Sequence, residues 1–235
     1  MLLKKKKIKF EELEFQISNY SFKPTGTSEL LCQSVNKIIK SKKKILDFGC
    51  GIGVVGITLF KKYNIESNLY ASDISRHSIR LCKLNAKNHR VKIIAKVGSL
   101  FDPWENEKFD IILNDVSGIS QKIAKISPWF KNTSCETGDD GTNLTLKIIS
   151  EAKKFLRKNG TIIFPILSLS NKKKIIKHAK LKFNNVKKIG LKTWPMPKEF
   201  YKHKKLLYKL KNNNSIDFNE RFGILTFTTE IYQAK

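Results

Sequence analysis

The sequence predicts an α/β fold: a doubly wound sheet of seven strands, mostly parallel with the last strand antiparallel, with helices on both faces. Apolar runs of strand length alternate with segments of helical period through most of the chain, as in parallel sheets joined by crossover helices. One strand leads through closely spaced glycines directly into a helix. The 235 residues are enough for one sizeable domain with its own core.

The N-terminal part of the chain carries weaker signals. The lysine cluster at residues 4–9 is typical of a solvated tail, and the loose alternation at residues 10–24 predicts a strand or hairpin. Apolar residues at 30–39 recur with a helical period, and Thr27 or Ser28 is the predicted N-cap of this helix. The turn that contains Thr27 is expected near the mouth of a ligand crevice, which makes Thr27 a candidate ligand contact.

The centre of the chain is a short apolar strand followed by a glycine-rich turn. Residues 45–48 have the length and composition of a buried parallel strand, and residues 54–60 continue as an apolar helix. Because glycine has no Cβ, the chain can turn sharply there and a ligand can lie against bare backbone. We therefore predict a cradle for a nucleotide-type cofactor, with contacts at Gly49, Cys50, Gly51 and Gly53.

Asp47, two residues before the first glycine, indicates the charge of that cofactor. In a dinucleotide site the same turn faces a pyrophosphate, which a carboxylate would repel. A carboxylate suits a ligand with positive charge and hydroxyl groups, and S-adenosylmethionine carries a sulfonium, an ammonium and a ribose. We expect this cofactor, with S-adenosylhomocysteine as its product; an NAD or FAD fold and a chance glycine turn are the alternatives.

The following strand is expected to contact the ribose. Residues 68–73 predict a strand that ends in Asp73, where this architecture places an acid facing the ligand crevice. Its carboxylate can accept both ribose hydroxyls, and Ile74 beside it is a further candidate contact. The alternative role for Asp73 is to cap the helix predicted at residues 76–88, and the two roles are compatible.

Two further strands complete the predicted site. Residues 90–97 predict a third strand, and the loop after it offers Ser99 as a polar edge and Leu100 as an apolar face for an adenine ring. A fourth strand is predicted to end at Asn114, on the edge where a transferred methyl group would meet its acceptor. Asn114 can accept an N–H of the acceptor and is also a candidate cofactor contact. Asp115 either takes the proton of the acceptor or is a solvated loop acid.

The rest of the chain continues the alternation of helices and strands. A long loop at residues 118–143, with a short helix at 119–126, is expected to face the substrate. The elements predicted after it are a helix at 143–158 closed by Asn159 and Gly160, a strand at 161–167, a helix at 169–183, a strand at 186–193, a basic segment at about 194–215 and a strand at 222–232.

These motifs resemble the class I S-adenosylmethionine-dependent methyltransferases, which have a Rossmann-like fold. The chain is most similar to the HemK-like enzymes, which methylate the side-chain amide nitrogen of a glutamine in protein release factors. The resemblance implies a methyltransferase domain at residues 44–235, with the basic insertion at about 194–215 and a hairpin and helix extension at 1–43 packed on the core. It rests on the segments LDFGCGIGVVGI, ASDIS, GSLFDP, FDIILN and GDDGTNLTLKIISEAKKFLRKNG.

The sequence departs from the HemK-like enzymes at their catalytic motif. These enzymes carry Asn-Pro-Pro-Tyr after strand four, where the asparagine side chain and a proline carbonyl hold the acceptor NH2. Here Asn114 is followed by Asp115, Val116 and Ser117. Ser99 also stands where many relatives have an acid.

The net charge of +26 invites a nucleic-acid interpretation, since lysine and arginine neutralise phosphates. The chain has 41 Lys and only 5 Arg, however, and arginine is the residue that nucleic-acid sites prefer for bidentate contacts.

Four scattered cysteines, with no Cys/His cluster, predict reduced thiols and no metal site. With no apolar segment of membrane-spanning length, we expect a cytoplasmic protein without a membrane partner.

Three functions are compatible with the sequence. The first is a methyltransferase that N-methylates a protein side chain or another amine or amide acceptor. The second is an RNA methyltransferase that acts on rRNA or tRNA and uses the basic segment, where tyrosines lie between lysines, to hold phosphates and bases. The third is a binding module that keeps the fold and the cofactor without turnover.

Overall fold

The computed structural model describes residues 6–39, 42–65, 67–116, 118–130 and 135–235. Its four short 3₁₀ helices are Asp102–Trp104, Pro128–Phe130, Lys153–Phe155 and Lys198–His203. The other elements are, in chain order, β1 (Lys6–Phe10), β2 (Leu13–Ile17), α1 (Gly26–Asn36), β3 (Lys44–Phe48), α2 (Val54–Lys61), β4 (Asn68–Asp73), α3 (Arg76–Asn88), β5 (Ile93–Val97), β6 (Phe109–Asn114), α4 (Gln121–Ile126), α5 (Asn143–Ala152), β7 (Leu156–Leu167), α6 (Lys172–Lys182), β8 (Val186–Pro195), α7 (Lys204–Asn212), β9 (Asn219–Arg221) and β10 (Ile224–Ala234).

The main sheet has the strand order β5-β4-β3-β6-β7-β10-β8, and the short β9 pairs with β10 as an eighth strand. The strands β5, β4, β3, β6 and β7 are parallel, and β10 runs antiparallel to both β7 and β8. The predicted fold class, a mostly parallel sheet whose last strand is antiparallel, is thus confirmed. The predicted number of seven strands is wrong by one, because the short β9 pairs with the start of β10. The carboxyl ends of the parallel strands lie at one edge of the sheet.

Alternate side chains of β3 enter two different cores, because successive residues of a strand point to opposite faces. Ile45 packs with Leu31 of α1 and Ile57 of α2, whereas Leu46 packs on the other face with Ile148 of α5 and Ile175 of α6. A third apolar cluster lies beyond the carboxyl end of β7. It joins the segment at 118–130 to residues of the C-terminal part, among them Phe200, Leu207 and Phe227.

The N-terminal predictions need two corrections. Residues 6–9 belong to β1, which pairs with β2, and are therefore not a solvated tail. The N-cap of α1 is Thr25 rather than Thr27 or Ser28: its hydroxyl accepts the N–H of Thr27 at 3.3 Å. Both Thr27 and Ser28 lie inside the first turn of α1 and are buried.

Several element boundaries also differ from the prediction, and the strand predicted at 161–167 already begins at Leu156. Strand β5 begins at Ile93 because Arg90 takes a left-handed conformation with φ 56°, and the Val91 N–H bonds the Ala86 carbonyl at 2.9 Å, a helix-ending pattern. The helix predicted at 143–158 ends at Ala152. Asn159, with φ 65°, forms a turn inside β7 instead of ending a helix, within an irregularity of the pairing between β6 and β7.

Gly26 at the start of α1 packs against Trp194 of β8. A Cβ on Gly26 would come 2.3 to 2.7 Å from three atoms of the indole ring, and the indole N–H is bonded to the Thr229 hydroxyl at 3.1 Å. We predict that Gly26→Ala lowers the free energy of unfolding by about 1 to 3 kcal/mol, measured by urea denaturation. In a Trp194→Leu background the cost should shrink markedly; equal costs in both backgrounds would contradict the packing described here.

Candidate active site

Backbone hydrogen bonds bring the carboxyl ends of four strands together at one edge of the sheet. The Cys50 N–H donates to the Ser72 carbonyl at 3.0 Å, which joins the turn after β3 to β4. The Gly98 N–H donates to the Asp73 carbonyl at 3.1 Å, and the Asp115 N–H donates to the Phe48 carbonyl at 3.2 Å. The segments that follow β3, β4, β5 and β6 are therefore neighbours at one edge of the sheet, where the sequence predicts a cofactor site.

The glycine turn after β3 is open on one side. Gly49, Gly51 and Gly53 have φ values of 69°, 52° and 87°, a region that residues with a Cβ rarely adopt. A Cβ on Gly49 would lie 2.1 Å from Val116, and one on Gly53 would lie 2.8 Å from the Cys82 sulfur. A Cβ on Gly51 would meet nothing within 4 Å. The backbone of Gly51 thus faces free space, where a ligand can approach it.

Asp47 is fully buried at the end of β3 and stabilises the start of α2. Gly53, the N-cap of α2, has no side chain, and the Gly56 N–H in the first turn donates to Asp47 Oδ2 at 2.9 Å instead. Gly56 permits this approach, because a Cβ there would lie 2.9 Å from the same oxygen. The other oxygen, Oδ1, is buried and has no hydrogen-bond partner among the described residues.

The environment of Asp47 disfavours its charged form. Burial raises the pKa of its carboxyl from 3.8 to about 7, the negative charges of Asp115 and Asp73 act in the same direction, and the Gly56 N–H opposes them. Negative charge at this site is therefore not compensated by a nearby cation among the described residues, and the Oδ1 atom of Asp47 has no hydrogen-bond partner there. A cation beside Oδ1 would stabilise the carboxylate and lower its pKa.

Asp73 holds two backbone amides at the end of β4. One carboxylate oxygen accepts the Gly51 N–H at 2.9 Å, and the other accepts the Ser75 N–H at 2.8 Å. The side-chain cap of α3 is Ser75 rather than Asp73. Burial raises the pKa of Asp73, and these two hydrogen bonds lower it. Each carboxylate oxygen has a second lone pair, so both remain able to accept a ribose hydroxyl.

The other candidate cofactor contacts lie at different depths. Ile74 is 75% exposed beside Asp73, and Ser99 is exposed at the loop after β5. Leu100, with φ 46°, is partly buried and packs against the core on the α5 side of the sheet.

The Cys50 side chain is buried in a small cluster with Ile79 and Cys82, so only its backbone is directed toward the cradle. The Thr27 hydroxyl lies 3.4 Å from the Thr229 hydroxyl.

At the acceptor edge, Asn114 and Asp115 make different contacts. Asn114 is buried; its Oδ1 accepts the Val116 N–H at 3.1 Å, and its Nδ2 lies 3.5 Å from the Val116 carbonyl. Asp115 Oδ2 accepts a hydrogen bond from the Ser28 hydroxyl at 2.8 Å. Burial raises the pKa of Asp115 to about 7, and the Ser28 hydrogen bond lowers it. Ser117 lies outside the described residues.

Ser28 is the site residue that sequence reasoning missed. Its place in the sequence predicts only a helix cap, although its side chain bonds a carboxylate 87 residues away. The one available signal was the expectation that the turn before α1 lies near the crevice. Because α1 packs on α2 and on β7, β10 and β8, its first turn brings Ser28 to the end of β6.

Two further kinds of site are absent from the described ranges. Among these residues, no group of three or more His, Cys, Asp or Glu side chains is placed to hold a metal ion. None of the described helices has both the length and the apolar character needed to cross a bilayer.

The sequence and the fold match known methyltransferases. Residues 23–116 match the family model of the methyltransferase small domain. The chain is 31% identical over 173 residues to the release factor glutamine methyltransferase of Dictyoglomus turgidum, a match that covers 68% of this chain and 60% of that protein. It is 27% identical over 171 residues to the ribosomal protein uL3 glutamine methyltransferase of Francisella tularensis, covering 68% of this chain and 54% of that protein.

A solved structure shows the same fold. The tRNA m1G37 methyltransferase of M. jannaschii superposes with a TM-score of 0.60 at 13% sequence identity, covering 100% of this chain and 58% of that chain. The present chain thus spans less than two thirds of the length of each of these relatives.

The protonation of Asp47 links the stability of the apoprotein to pH. The pKa of its carboxyl is about 7 in the folded chain, against an ordinary value of 3.8 that we take for the unfolded chain. The folded chain therefore binds the proton more tightly, so protonation of Asp47 stabilises the fold at low pH, and this stabilisation is lost as pH rises through 7. We predict that Asp47→Asn reduces the fall in unfolding free energy between pH 5 and pH 8 by about 2 kcal/mol, measured by urea denaturation. Parallel pH profiles for the two proteins would refute this assignment.

Proposed function

We propose that this chain, whose residues 23–116 belong to the methyltransferase small domain family, transfers the methyl group of S-adenosylmethionine to a nitrogen atom of a macromolecular acceptor. The observation that carries the proposal is the unpartnered, buried Oδ1 of Asp47 beside a glycine turn that is open at Gly51. A cationic cofactor with a ribose fits this arrangement. A pyrophosphate would add negative charge to three nearby carboxylates.

Each candidate residue has a distinct task in holding the cofactor. Asp47 would balance its positive charge, and Asp73 would accept its ribose hydroxyls in addition to the two amides that it already holds. The backbone of the glycine turn and the segments around Ile74 and Leu100 would line the adenosine, with Ser99 at the polar edge. When bound, S-adenosylmethionine supplies an electrophilic methyl group on a sulfonium and leaves as S-adenosylhomocysteine.

The residues of the chain contribute mainly orientation to such a transfer. Aligning an acceptor lone pair with the methyl group can lower the barrier by about 7 to 11 kcal/mol, without any covalent enzyme intermediate. Asn114 fixes the loop after β6 through its two contacts to Val116. The names of the two glutamine methyltransferase relatives favour a protein side-chain nitrogen as the acceptor.

RNA is a second candidate acceptor, which the surface near the third apolar cluster favours. Helix α7 buries Leu207 and Leu210 and exposes lysines on its other face. Nearby, at the turn between β9 and β10, the ring of Phe222 is 90% exposed, with the Arg221 guanidinium 5.2 Å from its centre. An exposed aromatic ring beside cations is a common platform for single-stranded bases.

One transfer experiment separates these functions. The purified chain is incubated with methyl-labelled S-adenosylmethionine and cell lysate, and the product is digested with protease or with RNase. Loss of label on protease treatment supports the protein acceptor, and loss on RNase treatment supports RNA. Cofactor binding without any methyl transfer would support the third function, a binding module without catalytic activity.

Gly51 provides a direct test of the cofactor cradle. We predict that Gly51→Ala weakens S-adenosylhomocysteine binding at least about tenfold in calorimetry, because the new methyl group occupies the space in which the ligand would meet the backbone. Gly223→Ala is the matched control, since Gly223 also has positive φ, at 76°, and nothing within 4 Å of a Cβ. Both variants should lose a similar amount of stability, and equal losses of affinity would exclude the cradle.

A further inference from the structure

Asn114 makes its side-chain hydrogen bonds to its own loop. Its amide oxygen accepts the Val116 N–H and its amide nitrogen lies within reach of the Val116 carbonyl, while the side chain is fully buried. These contacts hold the loop after β6 against the glycine turn, where Val116 covers Gly49. Asn114 therefore fixes the backbone of the loop after β6 and lies buried below the surface that the acceptor would contact.

Asp115 has one carboxylate oxygen that is not engaged by any of the described residues. Ser28 holds one of its carboxylate oxygens at 2.8 Å, and the other accepts no hydrogen bond from the described residues. The residue is partly exposed, and its own N–H bonds the Phe48 carbonyl next to the glycine turn. A carboxylate with one oxygen fixed and one free is thus placed between the cofactor cradle and α1.

We propose that Asp115, positioned by Ser28, contacts the acceptor nitrogen, and that this nitrogen is an aliphatic ammonium of a protein, a lysine side chain or an N-terminus. The proposal rests on the proposed methyltransferase function and makes its acceptor specific. A carboxylate forms stronger, charge-assisted hydrogen bonds with an ammonium than with a neutral amide. An ammonium also offsets the cost of keeping this carboxylate partly desolvated, which an amide does not.

The proposed step is a proton transfer. The ammonium gives one proton to the free carboxylate oxygen of Asp115: an N–H bond breaks, an O–H bond forms, and the nitrogen keeps the electron pair. With this pair the nitrogen would take the methyl group, as the carbon–sulfur bond breaks and S-adenosylhomocysteine leaves. Asp115 later releases this proton to water. A neutral amide nitrogen cannot be activated in this way before the attack, because it carries no ammonium proton and its lone pair is delocalised into the carbonyl.

Burial suits Asp115 to this step. It raises the pKa of the carboxyl to about 7, which is closer to that of an amine than an exposed aspartate would be. The titratable groups near Asp115 are Asp47 on β3 and Cys32 on α1, whose pKa values are raised by its charge as well as by burial. The base form of Asp115 is needed, so transfer should increase as pH rises through about 7.

The test uses Asp115→Asn, which keeps the size of the side chain and removes its charge. We expect methyl incorporation into lysate protein to fall about 10² to 10⁴-fold while S-adenosylhomocysteine affinity stays within about threefold, which shows that the cradle is folded. Ser28→Ala should raise the pKa of Asp115 and move the acidic limb of the pH profile upward, and carbon NMR of the carboxyl should show the same shift without turnover. Undiminished incorporation by Asp115→Asn would overturn the proposal.

The chemistry of the labelled product gives an independent answer. Hot acid hydrolyses a methylated amide and releases volatile methylamine, whereas a methyl group on an amine stays with its amino acid. We expect the label to remain with the amino acid. Label released as methylamine, label sensitive to RNase, or cofactor binding with no incorporation would each overturn the amine acceptor. Failure to bind S-adenosylhomocysteine at all would instead overturn the proposed function on which it rests.

Discussion

The hydrogen bond between the Gly56 N–H and the buried carboxylate of Asp47 is the contact on which the rest of the site depends. It joins the end of the central strand to the first turn of α2 and so fixes the turn of glycines between them. The same contact leaves the second oxygen of Asp47 buried without a partner. Such an oxygen is costly to the folded chain unless a ligand satisfies it. In the proposed function, that ligand is the positively charged cofactor.

Much of the fold follows from local sequence. Apolar runs of strand length and the glycine turn determine β3, β4 and β6, and the strand alternation leads to the parallel sheet. The misplaced boundaries have specific causes. Asn159 and Gly160 form a normal turn signal, yet here the turn lies within β7, because Leu156 already packs in the core as the start of the strand. Thr25 displaces Thr27 as the cap of α1, and local propensity does not distinguish these two threonines.

The site is predictable where it depends on residues close in sequence and unpredictable where it depends on tertiary packing. Spacing alone identifies Asp47 and Asp73 as the acids at the ends of two parallel strands. It does not reveal that Ser28 bonds Asp115, because that contact exists only once α1 has packed beside the sheet. Nor does it reveal that Asn114 bonds its own loop, which is a matter of side-chain rotamer and backbone geometry.

The most direct measurement of the central claim is the number of protons released when S-adenosylmethionine binds at pH 7. It is obtained by calorimetry in buffers of different ionisation enthalpy, for the native chain and for Asp47→Asn. A cation beside Asp47, whose pKa is about 7 in the apoprotein, should release about half a proton more from the native chain than from the variant. Equal proton release in the two proteins, or tighter binding of NAD than of S-adenosylmethionine, would contradict the account.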